Sequence, residues 1–277
     1  MTSRLSAKHR LQNALQSILL LGAMAALAGA LGWTLFGDVG LWAAVLGPVL
    51  ALLGQGVSPD MVLRLTGAQP IPQSQAPGMY RLVGALAERA RLPRAPRLYY
   101  LPTRMLNAFS AGGRDEPAIA LSDGLLRKLD RRELTGVLAH ELAHVRASDI
   151  WVMTLAAVVG RMTALLSFLG QMLLIVLVPM AIFTRYELPL LALALLVFAP
   201  TISSLLQLAL SRTREYDADI AAVELTGDPR GLASALDKLE RYQGGWMERM
   251  FMARAPNWLR THPATGERIR RLLELGV

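Results

Sequence analysis

Four stretches of this chain are almost free of charge. Leu11–Gly37 has no charged residue in 27 positions and Val39–Pro59 none in 21; Ile150–Thr184 has only Arg161 in 35, and Leu188–Ser211 none in 24. A membrane helix needs about 20 mainly apolar residues at about 1.5 Å rise each. The pattern therefore predicts four spans, at about 14–36, 41–58, 152–183 and 188–210. Gly47, Pro48, Gly54 and Gly56 interrupt the second run. The third exceeds the length of one crossing, which puts its first turns at the interface or in the cytosolic part, with Arg161 snorkelling towards the headgroups.

The polar segments between these runs read differently. Gln69–Pro77 carries three prolines and predicts an extended strap. Tyr80, Leu82, Val83, Leu86 and Ala87 are spaced as one face of a helix over 78–91. Arg97–Leu101, Leu106–Ser110 and Ala118–Leu121 are short strand candidates. Asp130 followed by Glu133 has the spacing of a capping box opening a helix through Arg146. The tail from Thr213 has a helical pattern with breaks expected near Gly227-Asp228-Pro229, Gly244-Gly245 and His262-Pro263. The resulting organisation is an N-terminal membrane hairpin (1–59), a mixed polar part (60–149), a second membrane hairpin (150–211) and a polar helical part (212–277).

Composition supports the membrane reading and adds an orientation. The chain is 53% hydrophobic and only 18% charged, against about 25% charged in soluble domains. Its net charge is +8, with 29 Lys and Arg. Three basic residues lie in the first ten positions, 13 in Ser58–Asp149 and 11 from Arg212 onward, whereas the Asp38-Val39-Gly40 connection has none. By the positive-inside rule both termini and the central polar segment are cytoplasmic, and four crossings satisfy that assignment. The apolar run continues past Ala26-Leu27-Ala28 to Phe36 and a second follows at once, which favours a retained hairpin over a cleaved signal peptide. The dispersed arginines flank the spans, so the charge indicates an anionic membrane surface and not nucleic acid.

The chemistry is concentrated in His140-Glu141-Leu142-Ala143-His144, inside the capped helix. Positions i and i+4 share a helix face, so both imidazoles can reach one metal ion, with Glu141 offset by about 100° beside it. Zinc with an open fourth position lowers the pKa of its water to about 7, and the glutamate can take that proton. A third ligand is needed, and the chain has no cysteine to supply one. Histidine or carboxylate remains: His9, His262, or the carboxylates of Arg212-Thr213-Arg214-Glu215-Tyr216-Asp217-Ala218-Asp219. Glu215 and Asp219 are again i and i+4, so that one could bind metal while the other orients a histidine. A membrane hairpin between His144 and Glu215 would return the chain to the same face.

The order of two spans, HExxH, two more spans and Arg-Glu-Tyr-Asp-Ala-Asp resembles the HtpX-like membrane zinc metallopeptidases, relatives of the CAAX prenyl-protein endopeptidases, over nearly the whole chain. The resemblance implies a mainly α membrane protein with four transmembrane helices and a small α+β zincin domain of gluzincin type with a short sheet. It implies one Zn2+ per chain held by His140, His144 and Glu215, with Glu141 as general base and Asp219 orienting a ligand. Asn107-Ala108-Phe109 is similar to the family's substrate-binding edge strand. His262-Pro263 through Arg268-Ile269 is similar to its C-terminal element, which gives His262 and Arg268 an oxyanion-stabilising role. Ala264 and Ser110-Ala111-Gly112 depart from the usual residues of those two elements. Asp149, five residues after His144, fits the family pattern and equally a helix cap.

The leading expectation is a membrane zinc endopeptidase acting on protein or peptide substrates at the cytoplasmic face; the resemblance further implies the bacterial inner membrane and quality control of damaged or misassembled membrane proteins. An intramembrane site-2 type protease is disfavoured, because Arg131, Arg132 and Arg146 bracket the motif and place it in water. A prenyl-protein endopeptidase and a silent or metal-sensing membrane protein are the alternatives; the intact Glu141 argues against the silent form. Oligomeric state, substrate identity and cleavage preference are left open by the sequence.

Overall fold

The computed structural model describes residues 2–53, 59–184, 189–247 and 265–275. The chain divides into two compact units, one of residues 14–56 and 152–211, the other of residues 1–13, 57–151 and 212–277.

The first unit is helical. It takes its residues from α1 (Thr2–Leu53), α6 (Asp149–Thr184) and α7 (Leu190–Thr226). Among the described residues, three helical segments are long and apolar enough to cross a membrane: Leu11–Leu52, Asp149–Thr184 and Leu190–Thr226. The two spans expected at 14–36 and 41–58 thus occur as one element, α1. It is broken at Gly37, whose φ of 61° and ψ of −147° are not helical and suit a residue without a Cβ. The chain doubles back there: the backbones of Gly32 and Gly40 approach so closely that a Cβ on either would strike the other's carbonyl. Small residues permit such contact where lipid provides no hydrophobic drive for packing.

Met24, Ala28, Leu31, Ala44, Ala156, Val159, Leu196 and Ala199 form the interior of this unit. Outside it, Trp33, Ile175, Ile182, Phe183, Leu191 and Phe198 are exposed, as expected for helices solvated by acyl chains. Pro200 has no N–H for the carbonyl of Leu196, four residues earlier on α7. Two side chains of α6 supply the missing donors: Ser167 Oγ donates to that carbonyl, and so does Gln171 Nε2 at 3.0 Å. A buried backbone group in an apolar layer must be satisfied within the protein.

The second unit is built around α5 (Arg131–Ala147). Its other elements are α2 (Pro59–Leu65), β1 (Gln69–Pro70), α3 (Pro77–Arg89), β2 (Arg97–Leu101), β3 (Ala108–Ala111), β4 (Ala118–Ser122), α4 (Asp123–Lys128), α8 (Pro229–Met247) and α9 (Thr265–Leu275). The sheet order is β1-β2-β4-β3, with β2 and β4 parallel and the outer pairs antiparallel. The expected strap begins as β1, where Gln69 and Pro70 pair with Tyr100 and Tyr99. The Gly244-Gly245 break does not occur, since α8 runs on to Met247. Glycine weakens a helix by only about 1 kcal/mol and does not by itself stop it.

The predicted capping box opens α5: Glu133 N donates to Asp130 Oδ1 and Asp130 N to Glu133 Oε2, both at 2.9 Å. Glu133 is also buried, and it receives Ser234 Oγ and Lys238 Nζ from α8, each at 2.7 Å. Burial raises its pKa, but Lys238, Ser234 and the Asp130 amide outweigh that and hold it below the usual value. Gly136 lets α8 approach closely, because a Cβ there would lie 2.9 Å from the backbone of Leu232. Val83, Leu86, Leu98, Ile119, Leu121, Leu138, Leu142, Leu225 and Leu272 close the core around this junction. The middle of α5 is consequently held between sheet and helices, with His140, Glu141 and His144 opening onto a cavity that Val137 also lines.

Candidate metal centre

Two turns of α5 and one of α7 supply the polar cluster. His140 and His144 stack edge to face, with ring centroids 4.7 Å apart and planes at 89°. Their Nε2 atoms are 3.1 Å apart. Glu215 reaches both, with Oε2 3.6 Å from His140 Nε2 and Oε1 3.7 Å from His144 Nε2. One ligand atom from each residue lies within 4.8 Å of the others. Zinc–ligand bonds of about 2.0–2.2 Å in tetrahedral geometry separate neighbouring ligand atoms by roughly 3.3–3.6 Å, so the three donors fit such an ion. Two nitrogen lone pairs and a carboxylate facing one point repel each other unless a cation lies between them.

Each histidine has a carboxylate behind it. His144 Nδ1 is 2.7 Å from Asp149 Oδ2, and His140 Nδ1 is 3.0 Å from Asp219 Oδ1, although the second contact is poorly aligned as a hydrogen bond. Protons on Nδ1 leave both Nε2 atoms as acceptors towards the centre, the arrangement that fixes the tautomer of metal-binding histidines. Asp219 is itself gripped by Arg268 of α9, whose Nε and Nη2 donate to its two oxygens at 2.7 and 2.6 Å. Arg268 Nη1 lies 2.9 Å from Glu215 Oε2. On the other side Arg214 Nε donates to Asp149 Oδ1 at 2.5 Å and its Nη1 to Asp217 Oδ2 at 3.1 Å, and Asn13 Nδ2 donates to Asp217 Oδ1 at 2.6 Å.

The electrostatics follow from that crowding. Burial favours a neutral His140, but Asp219 and Glu215 outweigh burial and raise its pKa to about 10. Burial also acts to raise the pKa of Asp219, and Arg268 and His140 reverse the direction and hold it below the usual range. The pocket therefore attracts positive charge to the histidine pair, and a proton and a metal ion compete for that position.

A cavity of about 380 Å³ opens beside the cluster and is lined by His140, Glu141, His144, Glu215 and Arg268. Asn107, Ala108, Phe109 and Ser110 form another wall. β3 lies at the end of the sheet order and pairs with β4 on one side. Leucines of α8, among them Leu232, Leu236 and Leu239, form an apolar wall.

The structure thus gathers Glu141, His140, His144, Glu215, Asp219, Arg268 and the Asn107–Phe109 segment in one place. Glu215 sits within α7, which runs on through the charged octet to Thr226. Arg268 directs three nitrogens at carboxylates beside the histidines, a bracing role that the oxyanion expectation did not include. His262 lies outside the described residues. Arg214, Asp217 and Asn13 were not singled out from the sequence as individual residues. Arg214 and Asp217 stand in the charged octet around Glu215, whereas nothing in the sequence marks Asn13, 204 positions from its partner.

Comparison with known proteins gives the same picture. The profile of peptidase family M48 matches residues 73–275. Proteins described as "Protease HtpX homolog" from Burkholderia thailandensis and Burkholderia mallei are each 36% identical over 289 residues, covering 95% of this chain and 97% of the relative. Among solved structures, the crystal structure of S. mikatae Ste24p is similar with a TM-score of 0.56 at 19% identity, over 96% of this chain and 67% of that one, a likeness of fold. On the family match over residues 73–275 and the 36% identity to such relatives, the chain belongs to peptidase family M48 as an HtpX-like membrane metallopeptidase.

Proposed function

We propose that the protein is a zinc-dependent endopeptidase that cuts damaged or misfolded membrane proteins at the cytoplasmic face of the bacterial inner membrane. The observation that carries this reading is the convergence of His140, His144 and Glu215 within 4.8 Å beside a cavity that Glu141 also lines. His140, His144 and Glu215 would hold one zinc ion per chain. When bound, zinc supplies a Lewis acid that lowers the pKa of a water to about 7. Glu141 takes a proton from the attacking water and passes it to the departing amine. Asp149 and Asp219 hold the rings of His144 and His140, and Arg268 tempers the negative charge of Glu215 and Asp219. Arg268 and, by family likeness, His262 are also positioned in sequence to stabilise developing negative charge on the substrate. An extended substrate adds to the outer edge of β3 through Asn107, Ala108 and Phe109.

The two halves of α1 act as two spans. The apolar segment Leu11–Leu52 has 42 residues, about 63 Å if straight, twice the roughly 30 Å hydrocarbon layer. With α6 and α7 that makes four crossings, which keep residues 60–149 and 212–277 on one side, and the basic residues of those segments assign it to the cytoplasm. Metal analysis combined with casein cleavage in detergent tests the reading. The wild type should carry about one zinc per chain and cleave, and Glu141→Gln should keep the zinc and lose cleavage. Equal cleavage by both proteins removes Glu141 as the base; zinc-free protein that cleaves removes the metal mechanism.

A further inference from the structure

Arg161 is the only charged residue in the Ile150–Thr184 stretch, and the metal centre makes no use of it. Its side chain is exposed on α6. The 23 uncharged residues that follow, Met162–Thr184, extend about 34 Å as a helix, enough alone to cross a hydrocarbon layer of about 30 Å. That places Arg161 at the end of the apolar segment, at the depth of lipid headgroups, where a guanidinium is stable with an anionic partner.

The surface beside Arg161 is a groove with polar groups at the same level. A cavity of about 300 Å³ is lined by Ala157, Gly160, Arg161, Ala164, Pro200, Ser204 and Gln207. Gly160 and the two alanines leave the space open: a Cβ on Gly160 would lie 3.3 Å from Gln207 Oε1 and 3.6 Å from Ser203 Oγ. Ser203 Oγ is buried and has no hydrogen-bond partner among the described residues. Arg161 and the Gln207 amide thus line the groove at one end of an otherwise apolar helix pair, with the Ser203 hydroxyl buried behind Gly160 and the Ser204 hydroxyl donating to the Pro200 carbonyl at 2.8 Å. Guanidinium with neutral donors is the chemistry that recognises phosphate oxygens, and an exposed apolar surface continues along α6 through Leu165, Phe168, Leu169 and Met172.

We propose that this groove binds the phosphate of a phospholipid headgroup, with Arg161 as the charged partner, the Gln207 amide beside it, and the acyl chains along the apolar face of α6. A lipid is the occupant because the phosphate site and an apolar track adjoin on one helix, which a free anion would not use.

The test is native mass spectrometry of the full chain in detergent, titrated with phosphatidylglycerol. Wild type should retain one lipid through dissociation of the micelle. Arg161→Gln should weaken it by about tenfold or more, beyond the roughly fivefold that one diffuse surface charge contributes. Arg161→Lys keeps the charge but loses the planar fork, so it should bind more weakly than wild type and more tightly than Arg161→Gln. Ala164→Leu keeps the charge and fills the groove, so it should also lose the lipid. Unchanged binding in Arg161→Gln, or in Ala164→Leu, overturns the proposal, the second by reducing it to diffuse attraction. Displacement of the lipid by millimolar inorganic phosphate overturns the lipid assignment in favour of a free anion. Zinc content, which depends on residues remote in sequence, should be unaltered in all three variants.

Discussion

Replacing Asp219 by alanine removes the anion shared by a buried arginine and a candidate metal ligand. Asp219 is 4% exposed and Arg268 7% exposed. Arg268 gives Asp219 two hydrogen bonds of 2.6 and 2.7 Å, and His140 Nδ1 lies 3.0 Å away. Without the carboxylate, Arg268 keeps Glu215 Oε2 at 2.9 Å as its carboxylate partner, and two of its buried nitrogens lose their acceptors. Breaking one side of a buried, hydrogen-bonded ion pair costs about 3–5 kcal/mol. Loss of the group behind a ligand histidine lowers metal affinity by about 10–100-fold. Asp219→Asn keeps an oxygen for one contact and should fall between alanine and wild type on both scales. Unfolding of the metal-free protein measures the first effect, and competition with a chromophoric chelator measures the second. The cycle Asp219→Ala, Arg268→Met and the double variant separates pair from ligand effects: the double variant should recover part of the stability and none of the metal affinity. Wild-type zinc affinity in Asp219→Ala would refute the reasoning, because the orientation of His140 would then not depend on Asp219.

Other expectations follow from the same geometry. Glu133, held below its usual pKa by Lys238 and Ser234 against burial, contributes stability that is fully present above about pH 4.5. That contribution is lost as pH falls through the lower folded-state pKa; acid titration of unfolding should show it in wild type and not in Glu133→Gln. Gly136→Val places methyl groups against the Leu232 backbone, so it should cost about 1–3 kcal/mol by thermal unfolding and displace α8 from the cavity. A wild-type melting midpoint there would contradict the close approach. Chelation should lower the melting temperature, because a metal held only by the folded chain stabilises it, and acidification should weaken metal binding. The raised pKa of His140, about 10, extends proton competition across the neutral range, so affinity measured at pH 6, 7 and 8 should rise with pH. An affinity independent of pH would remove His140 from the ligand set.

Much of the architecture is local and is therefore legible in the residue order. Uncharged runs specify apolar helices because length and hydrophobicity are properties of contiguous residues. The Asp130–Glu133 capping box, the β2 and β4 strands and the i, i+4 histidines are equally short-range, and each occurs where the spacing predicts it. Glu215 is legible only through the resemblance to the HtpX-like family, since spacing alone leaves His9, His262 and the carboxylates of residues 212–219 open as the third ligand. The break at Gly37 shows the limit of such reading: the chain doubles back without leaving the helical pattern for more than a residue, since glycine can take a positive φ and Gly32 and Gly40 tolerate backbone contact.

What only the tertiary structure decided is which charges face each other. Arg268 and Asp219 are 49 residues apart, Asp149 and Arg214 are 65, and Asn13 and Asp217 are 204. No periodicity connects such positions. Their pairing is enforced by burial, because an ion removed from water needs a partner close by and the fold determines which partner that is. The residue order thus names the paired histidines and Glu141 between them, and the folded chain supplies the carboxylates and arginines that surround them.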